Sequence, residues 1–157
     1  VKITDMQNRL IKNLSKGYRQ RVGLAQAVLG YPPIIILDEP TAGLDPAGCQ
    51  RILETICDYR EKTGSTVVIV SHSMDDVARI ADRLIVFNHG SIRFDGTPEE
   101  VFSNPKELSD IGLSVPAPTQ IASALREQGV EIEGSVYTTE QLLAALLKLK
   151  KEVGRNA

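Results

Sequence analysis

At 157 residues with a formal charge of −2, the chain is long enough for one ordinary domain with a sizeable core. Its 18 basic residues are scattered rather than gathered in a block, which gives no support to a nucleic-acid-binding role. No apolar run approaches the roughly 18 to 20 residues needed to cross a bilayer, and the start carries no signal-peptide pattern, so the chain is expected to be soluble by itself.

The first residue is Val1 rather than a methionine, which points to a processed, trimmed or incomplete chain, and residues 1 to 13 read as a polar approach segment. From Ser15 a helix is predicted to about Leu29, with Val22, Leu24, Ala25, Val28 and Leu29 on its apolar side, Ser15 placed to cap it and Gly30 near its end. A helix N-terminus with small residues and unpaired amides is an anion site on physical grounds, because the free N–H groups and the dipole both favour negative charge.

Pro32 and Pro33 break the chain before Ile34-Ile35-Ile36-Leu37-Asp38-Glu39-Pro40. A short aliphatic run that ends in two carboxylates is what a buried parallel strand looks like when its C-terminal edge delivers acids into a ligand crevice. Asp38 would then hold the water shell of a magnesium ion, and Glu39 would point at an attacking water. A plain polar loop after an apolar strand has the same local sequence.

Asp45 is an N-cap candidate, Pro46 takes a first-turn position, and a helix is predicted to about Lys62, with Ile52, Ile56 and Tyr59 on one face and Gly64 beyond its end. Cys49 and Cys57 both fall in it, about 12 Å apart at the helical rise, too far for a mutual disulfide. Free thiols suit a reducing compartment. Thr66 to Val70 is predicted as a second strand of a parallel sheet covered on both faces, and it ends at Ser71-His72.

Ser73 with Asp75 and Asp76 opens a short helix. Arg83 to Phe87 and Ser91 to Phe94 form a predicted hairpin around Asn88-His89-Gly90, where His89 serves the turn. Thr97-Pro98-Glu99-Glu100 is a helix start with a capping box, ending near Ser103. A looser segment marked by Pro105, Pro116 and Pro118 follows. Then come helices over Thr119 to Gln128, with Gly129 as a stop, and over Thr138 to about Val153, with Thr138 and Gln141 as a capping pair and Leu142, Leu143, Leu146, Leu147 and Leu149 as core or partner-facing residues.

Leu14-Ser15-Lys16-Gly17-Tyr18, the strand ending Asp38-Glu39, Gly43-Leu44-Asp45 and Ser71-His72, in this order over roughly residues 12 to 96, resemble the ATP-binding cassette (ABC) family of transporter ATPases. The resemblance implies an α/β fold, the distal half of a P-loop NTPase nucleotide-binding domain, with parallel core strands flanked by helices and a small helical C-terminal extension. Residues 1–96 would be the distal nucleotide-binding part and residues 97–157 the extension. By the same resemblance, Ser15, Lys16 and Gly17 would contact the terminal phosphate of ATP held by an opposite subunit, Asp45 would couple the two nucleotide sites, and His72 would hold the γ-phosphate. Lys16 stands in place of the family's first signature glycine and Tyr18 in place of its glutamine. Lys16 either adds charge near that phosphate or is merely solvated, as most lysines are.

The implied cofactors are ATP and Mg²⁺. The implied partners are a second ABC ATPase subunit and a transmembrane transporter subunit, at the cytoplasmic face of the cell membrane. The tail from Gly112 to Leu143 is similar to that of energy-coupling-factor ATPases, which power uptake of vitamins and metal ions, whereas Leu14 to Ala27 looks more like exporter or gliding-type ATPases. No Gly-x-x-x-x-Gly-Lys-Ser/Thr phosphate loop occurs in the 157 residues. The chain alone is therefore expected to show no ATPase activity, and a non-catalytic dimerisation or binding module is the alternative of another class.

Overall fold

The computed structural model describes residues 10–153, with side chains over residues 10–150. Most of the expected approach segment, Val1 included, lies outside the described residues, which open on a single 3-10 turn at Ile11–Asn13. The elements that follow are α1 (Lys16–Ala27), β1 (Ile34–Asp38), α2 (Pro46–Thr63), β2 (Thr66–Val70), α3 (Met74–Ile80), β3 (Leu84–Asn88), β4 (Ser91–Gly96), α4 (Pro98–Phe102), α5 (Pro105–Asp110), α6 (Ala117–Glu127) and α7 (Thr139–Val153). They group into two compact units, one up to His72 and one from Ser73.

The first unit is a βαβ unit preceded by α1. β1 and β2 run parallel, in register from Ile34 opposite Thr66 to Asp38 opposite Val70. Alternation along each strand sends Leu37, Val67 and Ile69 toward a core formed with Leu24 of α1 and with Ile52 and Ile56 of α2. The opposite face is open: Ile34, Ile36, Val68 and Val70 are all exposed, Ile36 to 71%. Cover on both faces, expected from the unbroken aliphatic composition, is therefore absent among the described residues. Leu29, expected on the apolar side of α1, is exposed because the helix ends at Ala27 and the chain turns through Gly30 and Tyr31, both with positive φ.

α2 runs as its termini predict. Asp45 accepts from the Gly48 amide at 3.2 Å, Pro46 sits in the first turn, and Gly64 at φ 67° ends the helix by donating to Arg60 O. Cys49 and Cys57 both lie on this helix and are not joined in a disulfide. The hydroxyl of Tyr59 is buried without a hydrogen-bond partner among the described residues.

In the second unit the β3–β4 hairpin turns at His89 and Gly90, both at positive φ, as a two-residue hairpin loop requires. Leu84, Val86 and Phe94 of this hairpin pack on Ala78, Val101, Phe102 and Leu108. By contact, the hairpin thus groups with the helices that follow it, in the unit that begins at Ser73. α4 carries the full capping box: the Glu100 amide donates to Thr97 Oγ1 at 3.3 Å and the Thr97 amide donates to Glu100 Oε2 at 2.7 Å. Those bonds from Thr97 hold the Glu100 carboxyl below the usual carboxylate range.

The segment read as loose after Asn104 contains a helix, α5, which has no side-chain cap and is held by complete burial of Leu108. α6 and α7 close a separate core of Ala122, Ile132, Val136 and Leu142. Arg126 ties the connecting loop down by donating to the carbonyls of Ile132 and Gly134 at 3.0 and 2.6 Å. The Thr138 and Gln141 capping pair forms as expected. Of the α7 leucines, Leu142 is buried, whereas Leu143, Leu146 and Leu147 face solvent.

Candidate functional site

The carboxyl ends of β1 and β2 bring together residues that are far apart in sequence. Asp38 ends β1, opposite Val70, with its side chain exposed. Glu39 continues the ladder by one bond, its amide donating to Val70 O at 2.8 Å, and then leaves the strand at φ 45°. That left-handed conformation is uncommon for a residue with a side chain and marks a position held by its surroundings.

The carboxylate of Glu39 turns toward the end of β2. His72 Nδ1 lies 2.6 Å from Glu39 Oε1, the His72 amide donates to the same oxygen at 3.1 Å, and the Ser71 hydroxyl donates to Oε2 at 3.5 Å. The pair is accessible, with the His72 side chain 82% and the Glu39 side chain 32% exposed. A carboxylate and an imidazole in direct hydrogen-bond contact at an open strand edge can take up and pass on a proton of a bound water or phosphate. Asp38 and Glu39, adjacent in sequence, thus stand in different settings, Asp38 exposed at the strand end and Glu39 paired with His72.

Residues 39–45 form the loop between β1 and α2. Ala42 N donates to Glu39 O at 3.1 Å and Leu44 N to Thr41 O at 3.2 Å, while Cys49 Sγ lies 3.6 and 3.8 Å from the carbonyls of Thr41 and Leu44. Gly48 is required by the cap, since a Cβ there would stand 2.6 Å from Asp45 Oδ1. Asp45 is therefore a cap in this chain whatever else it does.

Ser15 caps α1 by accepting from the Tyr18 amide at 3.4 Å. The first-turn amides of Lys16 and Gly17 have no carbonyl to bond within the helix, which leaves them for an external acceptor. Lys16, read as either charge for a phosphate or a solvated side chain, is exposed yet lies along Gly43, its outer methylenes and Nζ occupying the space that a Cβ there would need. Gly43, at φ 68°, leaves room for it. Tyr18 has a packing role: the Arg21 guanidinium lies over its ring at 5.5 Å.

One residue of this site escaped the sequence reading. Gln20 Nε2 donates to Glu39 O at 3.4 Å. Its signal was helical spacing, because Gln20 sits four residues after Lys16 and four before the buried Leu24, on the side of α1 that meets the loop.

The motif resemblance implies ATP, with magnesium as the ion bound to its phosphates. Among the described residues no group of three or more His, Cys, Asp or Glu side chains is arranged to hold a metal ion by itself. A magnesium ion carried by phosphate oxygens and water needs only one or two carboxylates from the protein, and exposed Asp38 fits that role. Among the described residues no helix is long and apolar enough to cross a membrane.

Comparison with known proteins agrees with this geometry. The family model described as ABC transporter matches residues 1–42. The energy-coupling factor transporter ATP-binding protein EcfA2 of Clostridioides difficile (strain 630) is 46% identical over 142 residues, 90% of this chain and 49% of the relative. The EcfA2 protein of Caldanaerobacter subterraneus subsp. tengcongensis is 47% identical over 135 residues, 86% of this chain and 47% of the relative. The chain thus spans about half the length of the curated relatives it matches. Among solved structures, MJ1267, an ATP-binding cassette of an ABC transporter, superposes with a TM-score of 0.63 at 28% identity over 72% of this chain and 46% of that one. CbiO1 from Clostridium perfringens, part of the ABC transporter complex cbiONQ, superposes with a TM-score of 0.59 at 30% identity over 77% and 48%. With the motif order, the βαβ unit and these relatives in agreement, the chain belongs to the ABC transporter family of ATP-binding proteins and is similar to its energy-coupling factor members.

Proposed function

We propose that this chain is the distal part of the ATP-hydrolysing subunit of an ABC transporter of the energy-coupling factor type, serving uptake of a vitamin or metal ion. Residues 1–96 serve the nucleotide site and residues 97–157 form an extension. Glu39 polarises the attacking water, His72 steadies both that carboxylate and the γ-phosphate, and Asp38 holds the water shell of magnesium. Ser15, Lys16 and Gly17 offer amides and charge to ATP bound by a second ATPase subunit, and Asp45 couples the two sites. Closure of the pair passes work to a transmembrane subunit at the cytoplasmic face of the membrane.

The observation that carries this reading is the 2.6 Å contact of His72 with Glu39 at the carboxyl edge of two parallel strands, the place where open α/β sheets bind ligands. The open aliphatic face of β1 and β2 supports the further point that more protein covers this sheet, because parallel strands of such composition are buried on both faces. A phosphate loop supplied by that additional protein would hold the triphosphate.

The test is phosphate release from ATP and Mg²⁺ by the ATPase subunit that carries this sequence, assembled with its partner subunits. Glu39→Gln is expected to lower turnover by about 100-fold or more, and the 157-residue chain alone is expected to release none. Turnover unchanged by Glu39→Gln, or Glu39-dependent release from the isolated chain, would overturn the reading.

A further inference from the structure

We infer that Gln20 is a positioning residue for Glu39, joining the helix that begins at Ser15 to the glutamate of the chain's own site. The inference rests on the ATPase reading above. Glu39 keeps a left-handed backbone, φ 45°, and such a conformation persists in a residue with a side chain only where several contacts determine it. Its amide is fixed by Val70 O, its carboxylate by Ser71 and His72, and its carbonyl by the Ala42 amide. All of these come from the strand ends or from the loop itself.

Among the described residues, the Gln20 side-chain amide supplies a hydrogen bond to Glu39 from α1, donating to its carbonyl at 3.4 Å. It is one of a row. Lys16 lies along Gly43, a side chain at Gly17 would meet Leu44 Cδ2 at 3.4 Å, and Leu24, a turn beyond Gln20, is buried with Ile52 and Ile56. One side of α1 is therefore seated on the loop from its first turn to the core. A shift of the Ser15 end reaches the Glu39 carbonyl through one rigid helix, and the carbonyl sets where the carboxylate points. Sequence separation hides this, since the two residues are 19 positions apart.

Removing the donor while keeping the length, as in Gln20→Met, leaves phosphate contacts intact but takes away the bond from α1 to the Glu39 carbonyl, which then keeps the Ala42 amide alone among the described residues. In the assembled ATPase the expected result is a fall in kcat of about tenfold with KM for ATP unchanged, as for a small misplacement of a group that acts in the transition state. Gln20→Lys, which restores a donor, is expected to recover most of the rate, and it keeps the test decisive if Gln20→Met is poorly folded. The carbonyl ¹³C resonance of Glu39 reports the contact directly, without turnover, and is expected to move in Gln20→Met and return in Gln20→Lys.

An unmoved resonance, or a moved resonance with unchanged kcat, overturns the positioning role. A rise in KM matching the loss of kcat/KM, with no recovery in Gln20→Lys, also overturns it in favour of a purely structural effect. If the parent itself releases no more phosphate than Glu39→Gln, the ATPase reading falls and takes the catalytic role of Gln20 with it. The ¹³C measurement still shows whether the contact exists.

Discussion

In the β1–β2 sheet, Ile34, Ile36, Val68 and Val70 stand 44 to 71% exposed, whereas the helices from α4 to α6 enclose Val101, Phe102, Leu108 and Ala122 at 4% or less. The β3–β4 hairpin repeats the first case, with Ile85, Phe87 and Ile92 at 50% or more. The difference follows from geometry. A strand sends alternate side chains to two faces, so an all-aliphatic strand needs cover twice, while a helix with one apolar stripe is satisfied by a single neighbour. Where this chain brings helices against helices the core closes. Where it brings one helical layer to a sheet, half of the sheet's apolar surface is left for something else to cover.

The largest effect expected from breaking this contrast is Leu108→Ala. Leu108 is 0% exposed and holds a helix without a side-chain cap, so the substitution should cost about 3 kcal/mol in a urea unfolding experiment. A cost below about 1 kcal/mol would show that the core around α5 is not closed.

A smaller effect concerns the junction of hairpin and helices at Thr97. The Glu100 carboxyl is held below its usual value by bonds from Thr97, so its contribution to stability is full above the unfolded-state value of 4.5 and is lost as the pH falls through the depressed folded-state value. Glu100→Gln should therefore melt below the parent at pH 7, with the gap shrinking toward nothing as the pH drops below 4.5. A gap that stays constant with pH would remove the charge from the explanation.

The smallest expected effect is at the open face. Ile36→Thr in this chain should change stability by no more than about 0.5 kcal/mol, as for an ordinary surface position. In the longer subunit proposed above the same substitution should cost about 1 kcal/mol or more, since the face is then covered. Equal costs in the two settings would contradict the proposed cover.

Much of the local structure was legible because its causes are local. Asp45-Pro46 starts α2, Thr97-Pro98 with Glu100 starts α4, Thr138 with Gln141 starts α7, and His89-Gly90 turns the hairpin, each through bonds spanning four residues or fewer. β1 and β2 were legible as aliphatic runs between turn residues. α5 was not, because its first-turn proline resembles a loop signal and its stability comes from burying Leu108 among residues of other elements. The α7 leucines were legible as a group but not individually, because which of them touches α6 depends on how the two helices meet.

The amino-acid sequence by itself determined the caps, the turns, the strand cores and the motif order that marks the family, all of them properties decided within a few residues of one another. Only the tertiary structure decided that Glu39 adopts a left-handed backbone, that His72, 33 residues on, meets its carboxylate, and that Gln20, 19 residues before, meets its carbonyl. It also decided that Lys16 lies along Gly43. Side chains that far apart in the chain converge only once the parallel pairing of β1 and β2 and the seating of α1 on α2 have set their positions, and no local preference encodes that distance.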